Sequence, residues 1–330
     1  ILSVVRMIAK NFRVFPAGCK LNGVQCDLSN PFTEGGYANI IKGEYRGHSI
    51  CVKAVRLYKA EDSTASLQVK AKEYALWAHL SHPNILTFYG VYVPPNSSYP
   101  RICLVSRWMN NGDLKSYLRK VSNSPRTLLL FDVITGLKYL HENGIIHADL
   151  KATNVLIPDI GHAVICDFGI SRIKFSTTNP ISTGTHNWTS PELILQHENI
   201  PSEKSDIWSF GCLCYEVLAG KEPFYCCLAY PQLFLAMMNG KNPLDASSSD
   251  TCHHLIPPCM QTLLRECWHS KPSDRPTSRD IYEQFRQLGI PDNRLPAVND
   301  DAVLREVRKA RTHVEIDYDE VQRILERVSN

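Results

Sequence analysis

The sequence predicts an α+β chain of two lobes, a small β-rich one with a single helix followed by a larger helical one. Three observations carry this expectation. Residues 31–58 alternate apolar and polar, with turn signals at Gly35-Gly36 and Arg46-Gly47-His48, as half-buried strands do. Two further apolar runs, Ile85–Val93 and Ile102–Trp108, flank the turn-rich PPNSSYP. Beyond Gly112 the alternation gives way to apolar residues at helical spacing. The 330 residues suit two domains or lobes at roughly 100–200 residues each, and 44% apolar content is enough for a sizeable core.

Taken in order, residues 1–30 are expected to hold a short amphipathic helix and then the turn-rich connector PAGCKLNG. The strands of 31–58 follow. Leu67, Ala71, Tyr74, Trp77 and Leu80 fall on one face of a helix. The lobes should meet near Asn110–Gly112. Helices are then predicted at Leu114–Val121, Thr127–Asn143, Ser205–Ala219, Leu228–Met238 and Met260–Trp268, with short strands at Val155–Ile157 and His162–Ile165. No internal repeat is present.

Charge and composition exclude several classes of function. Lys and Arg number 36 and Asp and Glu 33, a net +3, which gives no reason to expect nucleic-acid binding. No apolar run approaches the ~18–20 residues of a membrane span. The opening ILSVVRMIAKNF is interrupted by Arg6 and Lys10 and lacks a small-residue cleavage site, so it is not read as a secretory leader. Twelve cysteines spread over the whole chain, with no C-x-x-C, suggest reduced and mostly buried thiols in a cytoplasmic or nuclear protein.

The strongest chemical signal is His147-Ala148-Asp149-Leu150-Lys151-Ala152-Thr153-Asn154. A carboxylate, a cation and an amide on one short loop suit phosphoryl transfer: the carboxylate orients a hydroxyl, the amine neutralises phosphate and the amide oxygen takes a metal. Asp167-Phe168-Gly169 lies thirteen residues past Asn154 and supplies a second hard oxygen ligand, a pair that fits Mg²⁺. Upstream, Thr33-Glu34-Gly35-Gly36-Tyr37-Ala38-Asn39-Ile40 sits between two strands, where glycines let backbone N–H groups approach phosphates. That loop gains weight from the strand Ile50-Cys51-Val52-Lys53 and from Glu73 on the helix behind it.

Together these motifs resemble a eukaryotic protein kinase, in order and with sensible spacings from about Phe32 to Leu288. The resemblance implies the bilobal kinase fold, with an extension at 1–31, a small lobe at 32–109, a large lobe at 110–288 and a helical tail at 289–330. It further implies ATP and Mg²⁺ as cofactors and protein substrates as partners. Thr33, Gly35, Gly36, Ala38 and Ile40 would form the loop over ATP. Cys51, Ser106, Trp108, Met109 and Leu156 would line the adenine pocket, with Ser106 as the small residue at its back. Lys53, held by Glu73, would fix the α- and β-phosphates. Asp149 would act as catalytic base, Lys151 would contact phosphate, and Thr185 would bond both and shape the acceptor site. Asn154 and Asp167 would hold the metal. His147, Phe168, Gly169, Glu192, Asp206 and Arg275 would be structural, Glu192 pairing with Arg275 and Asp206 bracing the catalytic loop. Lys151 and Gly184-Thr185 resemble serine/threonine kinases. Trp188, with the Cys267-Trp268 and Asp274-Arg275-Pro276 stretch, resembles the tyrosine-kinase-like branch.

Two departures stand out. Thr33 and Ala38 replace the outer glycines of the loop, and a β-branched residue stiffens it. Ala148 replaces the arginine that in the family clamps an activation-segment phosphate, so activity is expected not to depend strongly on phosphorylation there. Every residue that the family uses for chemistry is present. An active kinase is therefore expected, with a nucleotide-binding scaffold or interaction module as the competing reading and tyrosine or dual specificity as a lesser one. Trp77 is expected to pack toward Phe168 rather than to touch ligand. Cys252, His253, His254 and Cys259 lack zinc-ligand spacing. In the tail, Val307, Val314, Val321 and Val328 recur every seven residues, with Val303, Ala310 and Ile324 as a second seam. A helix docked on the kinase, or one that binds a partner, is expected there rather than a coiled-coil dimer.

Overall fold

The computed structural model describes residues 20–34, 38–55, 77, 80–95, 103–168, 186–195, 200–246, 255–297 and 302–312. The helix expected near the N-terminus and most of Leu67–Leu80 lie outside these residues. Two lobes are present, as expected. The small lobe is an antiparallel sheet of β1 (Gln25–Cys26), β2 (Thr33–Glu34), β3 (Ala38–Tyr45), β4 (His48–Val55), β5 (Phe88–Tyr92) and β6 (Cys103–Arg107). Its order is β1-β3-β4-β6-β5, with β2 also paired to β3.

Register decides which side chains face the cleft. Successive residues of a strand point to opposite faces, and residues paired across antiparallel strands share one. Lys53 pairs with Ile40 and Leu104, Cys51 with Lys42 and Ser106, and Ala38 with Val55. Ala38, Ile40, Cys51, Lys53 and Ser106 therefore line one face. Ile41, Ile50, Val52 and Val105 line the other and are buried there with Leu21 and Tyr89.

The large lobe is built from α1 (Leu114–Lys120), α2 (Arg126–Glu142), the two-stranded β7 (Val155–Leu156) and β8 (Val164–Ile165), α3 (Pro191–Ile194), α4 (Glu203–Ala219), α5 (Tyr230–Met238), α6 (Pro243–Ala246), α7 (Pro258–Cys267) and α8 (Ser278–Gln287). All five predicted helices form. α8 was not predicted, although Ile281, Tyr282, Phe285 and Leu288 fall at helical spacing in its charged run and Ile281 and Phe285 are buried.

Helix α4 is the axis of this lobe. It is apolar nearly all round and buried on every side except at its first two residues. Ser202 caps its start by accepting from the Ser205 N–H while the Ser205 hydroxyl meets the Ser202 N–H, an arrangement that contributes about 1 kcal/mol. Gly220 ends it in the left-handed conformation, at φ 71°. Within the helix, Gly211 is required by packing. A Cβ there would lie 2.7 Å from the indole nitrogen of Trp268 and 3.0 Å from Cβ of Cys267, so α7 approaches α4 only because the side chain is absent.

The lobes are joined through 107–112, where Gly112 donates to the Met109 carbonyl at 3.1 Å. They also touch at Asn84–Leu86, which exchanges backbone hydrogen bonds with Ile165 on β8 at 2.9 Å each. A final helix, α9 (Ala302–Thr312), packs on the outer face of the small-lobe sheet. Its buried face is Val303, Leu304 and Val307. Val303 and Val307 belong to the predicted seam and Leu304 joins them, so this helix docks on the small lobe; Val314, Val321, Ile324 and Val328 lie outside the described residues.

Candidate active site

The loop 147–154 is shaped by a carboxylate that belongs to another element. Asp206, on the first turn of α4 and fully buried, accepts from the backbone N–H of His147 at 2.7 Å and of Ala148 at 2.8 Å. It also meets His141 Nε2 at 2.9 Å. Ala148 sits at φ +63°, a left-handed backbone that costs an L-residue about 1–2 kcal/mol. The two charge-assisted hydrogen bonds to Asp206 offset that cost and present Asp149 to the cleft. His147 is wholly buried. Its Nδ1 accepts from the Asp149 N–H at 3.2 Å, and its Nε2 lies 3.0 Å from the Cys166 carbonyl. Burial lowers its pKa, so it stays neutral, with its proton on Nε2.

Asp149 is held from two sides. Lys151 Nζ lies 3.1 Å from Oδ1, and Asn154 Nδ2 donates to Oδ2 at 3.0 Å and to the Asp149 carbonyl at 2.6 Å. With its nitrogen so engaged, Asn154 has its amide oxygen left to act as a cation ligand. The Cys166 N–H donates to the Asn154 carbonyl at 3.0 Å, so the strand end that carries Asp167 is tied to this loop. Asp167 is also left-handed, at φ +60°. Its carboxylate meets Lys53 Nζ across the cleft at 2.5 Å. Burial pulls the Lys53 pKa down, but the Asp167 carboxylate more than offsets this and the net shift is upward. The ammonium therefore stays charged.

Trp77 packs as expected, in T-shaped contact with Phe168 at 5.6 Å between centroids and stacked on Phe88 at 4.8 Å. Its indole N–H donates to the Leu86 carbonyl at 2.6 Å. Met109 and Leu156 come together against Leu86, Val164 and Cys166. Trp108 stands at the outer edge of the connector, edge-on to Phe32 at 5.0 Å. Ser106 is buried beside Cys51, whose thiol burial pushes up to about 11, so it is unreactive at neutral pH.

Below the loop, Glu192 and Arg275 form a buried fork. Nη1 and Nη2 donate to the two carboxylate oxygens at 2.8 and 2.7 Å. The guanidinium also reaches the carbonyls of His269 and Lys204 at 2.9 Å and lies over the Trp208 ring.

A family model described as a protein kinase domain matches residues 30–285 of this chain. The chain belongs to the protein kinase family. It is similar to the serine/threonine/tyrosine-protein kinase HT1 of Arabidopsis thaliana, 32% identical over 282 residues, covering 81% of this chain and 69% of that protein. Mouse mitogen-activated protein kinase kinase kinase 10 is 32% identical over 267 residues, covering 77% of this chain and 27% of that protein. The serine/threonine-protein kinase STY46 of Arabidopsis thaliana is 28% identical over 276 residues, covering 82% and 45%. This kinase chain thus spans well under two thirds of most of the curated relatives it matches, down to 15% of a long mimivirus relative.

Of the predicted kinase residues, the structure brings Lys53, Asp149, Lys151, Asn154 and Asp167 to the same cleft. Thr33 lies on β2 opposite Ile40. Glu73, Gly35, Gly36, Gly169 and Thr185 lie outside the described residues, as do Cys252, His253 and His254. Among the described residues no group of three or more His, Cys, Asp and Glu side chains could hold a metal. Two residues that sequence reasoning missed also shape the site. His141 on α2 bridges Asp206 and Ser278, at 2.9 and 3.1 Å. Glu216 on α4 accepts from the Ala152 N–H at 3.1 Å and the Trp188 indole at 3.0 Å, tying the loop 147–154 to the turn His186–Trp188. A lone carboxylate inside an apolar helix was the available signal for Glu216.

Proposed function

We propose that this kinase domain is catalytically active and transfers the γ-phosphoryl group of ATP to Ser or Thr hydroxyls of protein substrates, with Mg²⁺ as cofactor. The observation that carries this is the anchored Asp149: a carboxylate gripped by Lys151 and Asn154 and facing a cleft whose opposite wall supplies Lys53. Asn154 and Asp167 offer the hard oxygen donors that Mg²⁺ selects. Bound there, Mg²⁺ would neutralise charge on the phosphates. Asp149 orients the acceptor hydroxyl and takes its proton. Lys53 fixes the α- and β-phosphates, and Lys151 stabilises charge on the transferred group. Catalysis is then mostly positioning and electrostatic stabilisation. The deciding experiment is metal-dependent transfer from ATP with Asp149→Asn as control. If wild type and variant both show background transfer alone, the scaffold reading, favoured by Thr33 and Ala38 in place of loop glycines, replaces this one.

The serine/threonine assignment is supported by Lys151 two residues after Asp149 and by the names of the relatives. The name of HT1, which includes tyrosine, supports dual specificity as the second reading. Phosphoamino-acid analysis of the product separates the two. A reducing compartment, cytoplasmic or nuclear, is supported by ten free cysteines among the described residues, half of them buried. Among the described residues no helix is long and apolar enough to cross a membrane.

Ala148 carries no guanidinium, so a phosphate on Ser182 or Thr183 would lack the bidentate partner it usually finds at that position. The loop geometry is instead supplied by Asp206. Phosphatase treatment is expected to leave turnover within about twofold; a collapse of activity would overturn this. Ser106 is small and buried at the back of the cleft-facing sheet. Ser106→Met should therefore weaken the binding of bulky ATP analogues at least tenfold while sparing ATP, as measured by competition binding.

A further inference from the structure

Past α8 the chain returns along the large lobe and is fastened there. Arg294 Nη1 and Nη2 donate to the two Asp132 carboxylate oxygens at 2.7 and 3.1 Å, and Nη1 also reaches the Gly161 carbonyl at 3.2 Å. Asp292 holds the guanidinium from the other side at 2.9 and 2.7 Å. Asp132 is buried on α2 and also accepts from the Ala163 N–H at 2.8 Å, and His162 bridges it, at 3.2 Å, to the Leu295 carbonyl, at 2.8 Å. This is a desolvated polar anchor. A rim salt bridge would hold far less firmly.

Seven peptide steps later the same segment is fastened to the other lobe. Val303, Leu304 and Val307 of α9 are buried with Leu21, Ile41, Ile50 and Val52 on the outer face of the small-lobe sheet. Arg46 and Glu306 close the edge of this contact at 2.8 Å. None of these residues faces the cleft. A stretch from Leu295 to Ala302 can extend at most about 25 Å at ~3.3–3.6 Å per residue. Beside the backbone bonds between Asn84–Leu86 and Ile165, the lobes are therefore linked covalently at two places, by the connector at 107–112 and by this segment. A single connector permits rotation in several directions, and a second one at a different place removes most of them.

We propose that Asp292–Thr312 is an interlobe strap, which limits how far the small lobe swings from the large one and so keeps Lys53 within reach of Asp167 and the catalytic loop. The strap itself rests on the two anchors; only its effect on ATP affinity rests on the proposed function. The test is a full-length chain carrying a site-specific protease sequence between Ala297 and Ala302, compared before and after cutting. Cutting after folding leaves both anchors' residues in place and removes the tether alone. Hydrogen exchange of the 107–112 amides should rise at least fivefold, and the Kd for ATP with Mg²⁺ should rise at least threefold. Arg294→Gln, which leaves Asp132 its bonds from Ala163 and His162, should reproduce the exchange change with the tether uncut. Unchanged exchange at 107–112 in both the cut chain and Arg294→Gln would overturn the strap and leave α9 as a surface cover. If exchange rises but ATP binds to neither form, the strap stands and the ATP reading fails.

Discussion

Asp149→Asn is expected to lower phosphoryl transfer roughly 10²–10⁴-fold, the range for loss of a positioned general base. The fall should appear in kcat with little change in the Kd for ATP, because in the proposed mechanism Asp149 would face the acceptor hydroxyl and not the nucleotide. The substitution is close to isosteric. An amide oxygen at this position still accepts one of the bonds that Lys151 and Asn154 now donate, at 3.1 and 3.0 Å. What disappears is the negative charge and the capacity to take a proton. The melting temperature should therefore stay within a few degrees of the wild type, which separates lost chemistry from lost fold. Steady-state assays at saturating ATP, with a thermal melt on the same sample, decide the matter. A variant that keeps more than a tenth of wild-type kcat would show that Asp149 is not the base.

Arg275→Ala destabilises the large lobe by about 3–5 kcal/mol, because it leaves Glu192 buried without its partner. That is a large share of the ~5–15 kcal/mol typical of a folded domain. The penalty is high because both charges are out of water: the Arg275 side chain is 0% exposed and that of Glu192 6%. The carbonyls of His269 and Lys204 lose donors as well. Arg275→Lys keeps the charge but not the planar fork, and should recover only part of the loss. Replacing both partners together, Arg275→Met with Glu192→Leu, should cost far less than the single change, since no buried charge is then stranded. Urea denaturation of the four proteins measures this. A single-variant loss below 1 kcal/mol would mean that water reaches the pair.

How much of this was legible in the sequence depends on the range of the interaction. The loop from His147 to Asn154 was legible because its groups are neighbours in the chain and its chemistry is local. That Ala38 and Ile40, or Cys51 and Lys53, share a face follows from period-two alternation within one strand, but their gathering with Ser106 was implied only by the resemblance to kinases, and the cross-strand register that achieves it was not legible. The Trp77–Phe168 contact was anticipated from Trp77's place on its predicted helix, four residues after Glu73. Other features depend on distant partners. His141 reads as one more residue of an amphipathic helix until Asp206 is placed beside it. Asp132 and Arg294 are 162 positions apart, and neither has a local feature that announces the other. Helix α8 was legible but missed: the capping box of Thr277 and Asp280 marks its start, and Ile281 and Phe285 mark its buried side. In the tail, Val303 and Val307 were legible as the apolar side of a helix, but the sheet they pack against is far away in the chain and was not.

The link from Asp206 to the catalytic loop also bears on how this protein fails. The loop is fastened to α4, the most deeply buried helix of the large lobe, through Asp206 and again through Glu216. Segments fastened to such a helix belong to the same cooperative unit and do not open by themselves. Heating should therefore not yield a folded but chemically slack enzyme as an intermediate. The loop would keep its geometry until the large lobe melts, and activity and structure would be lost in one step.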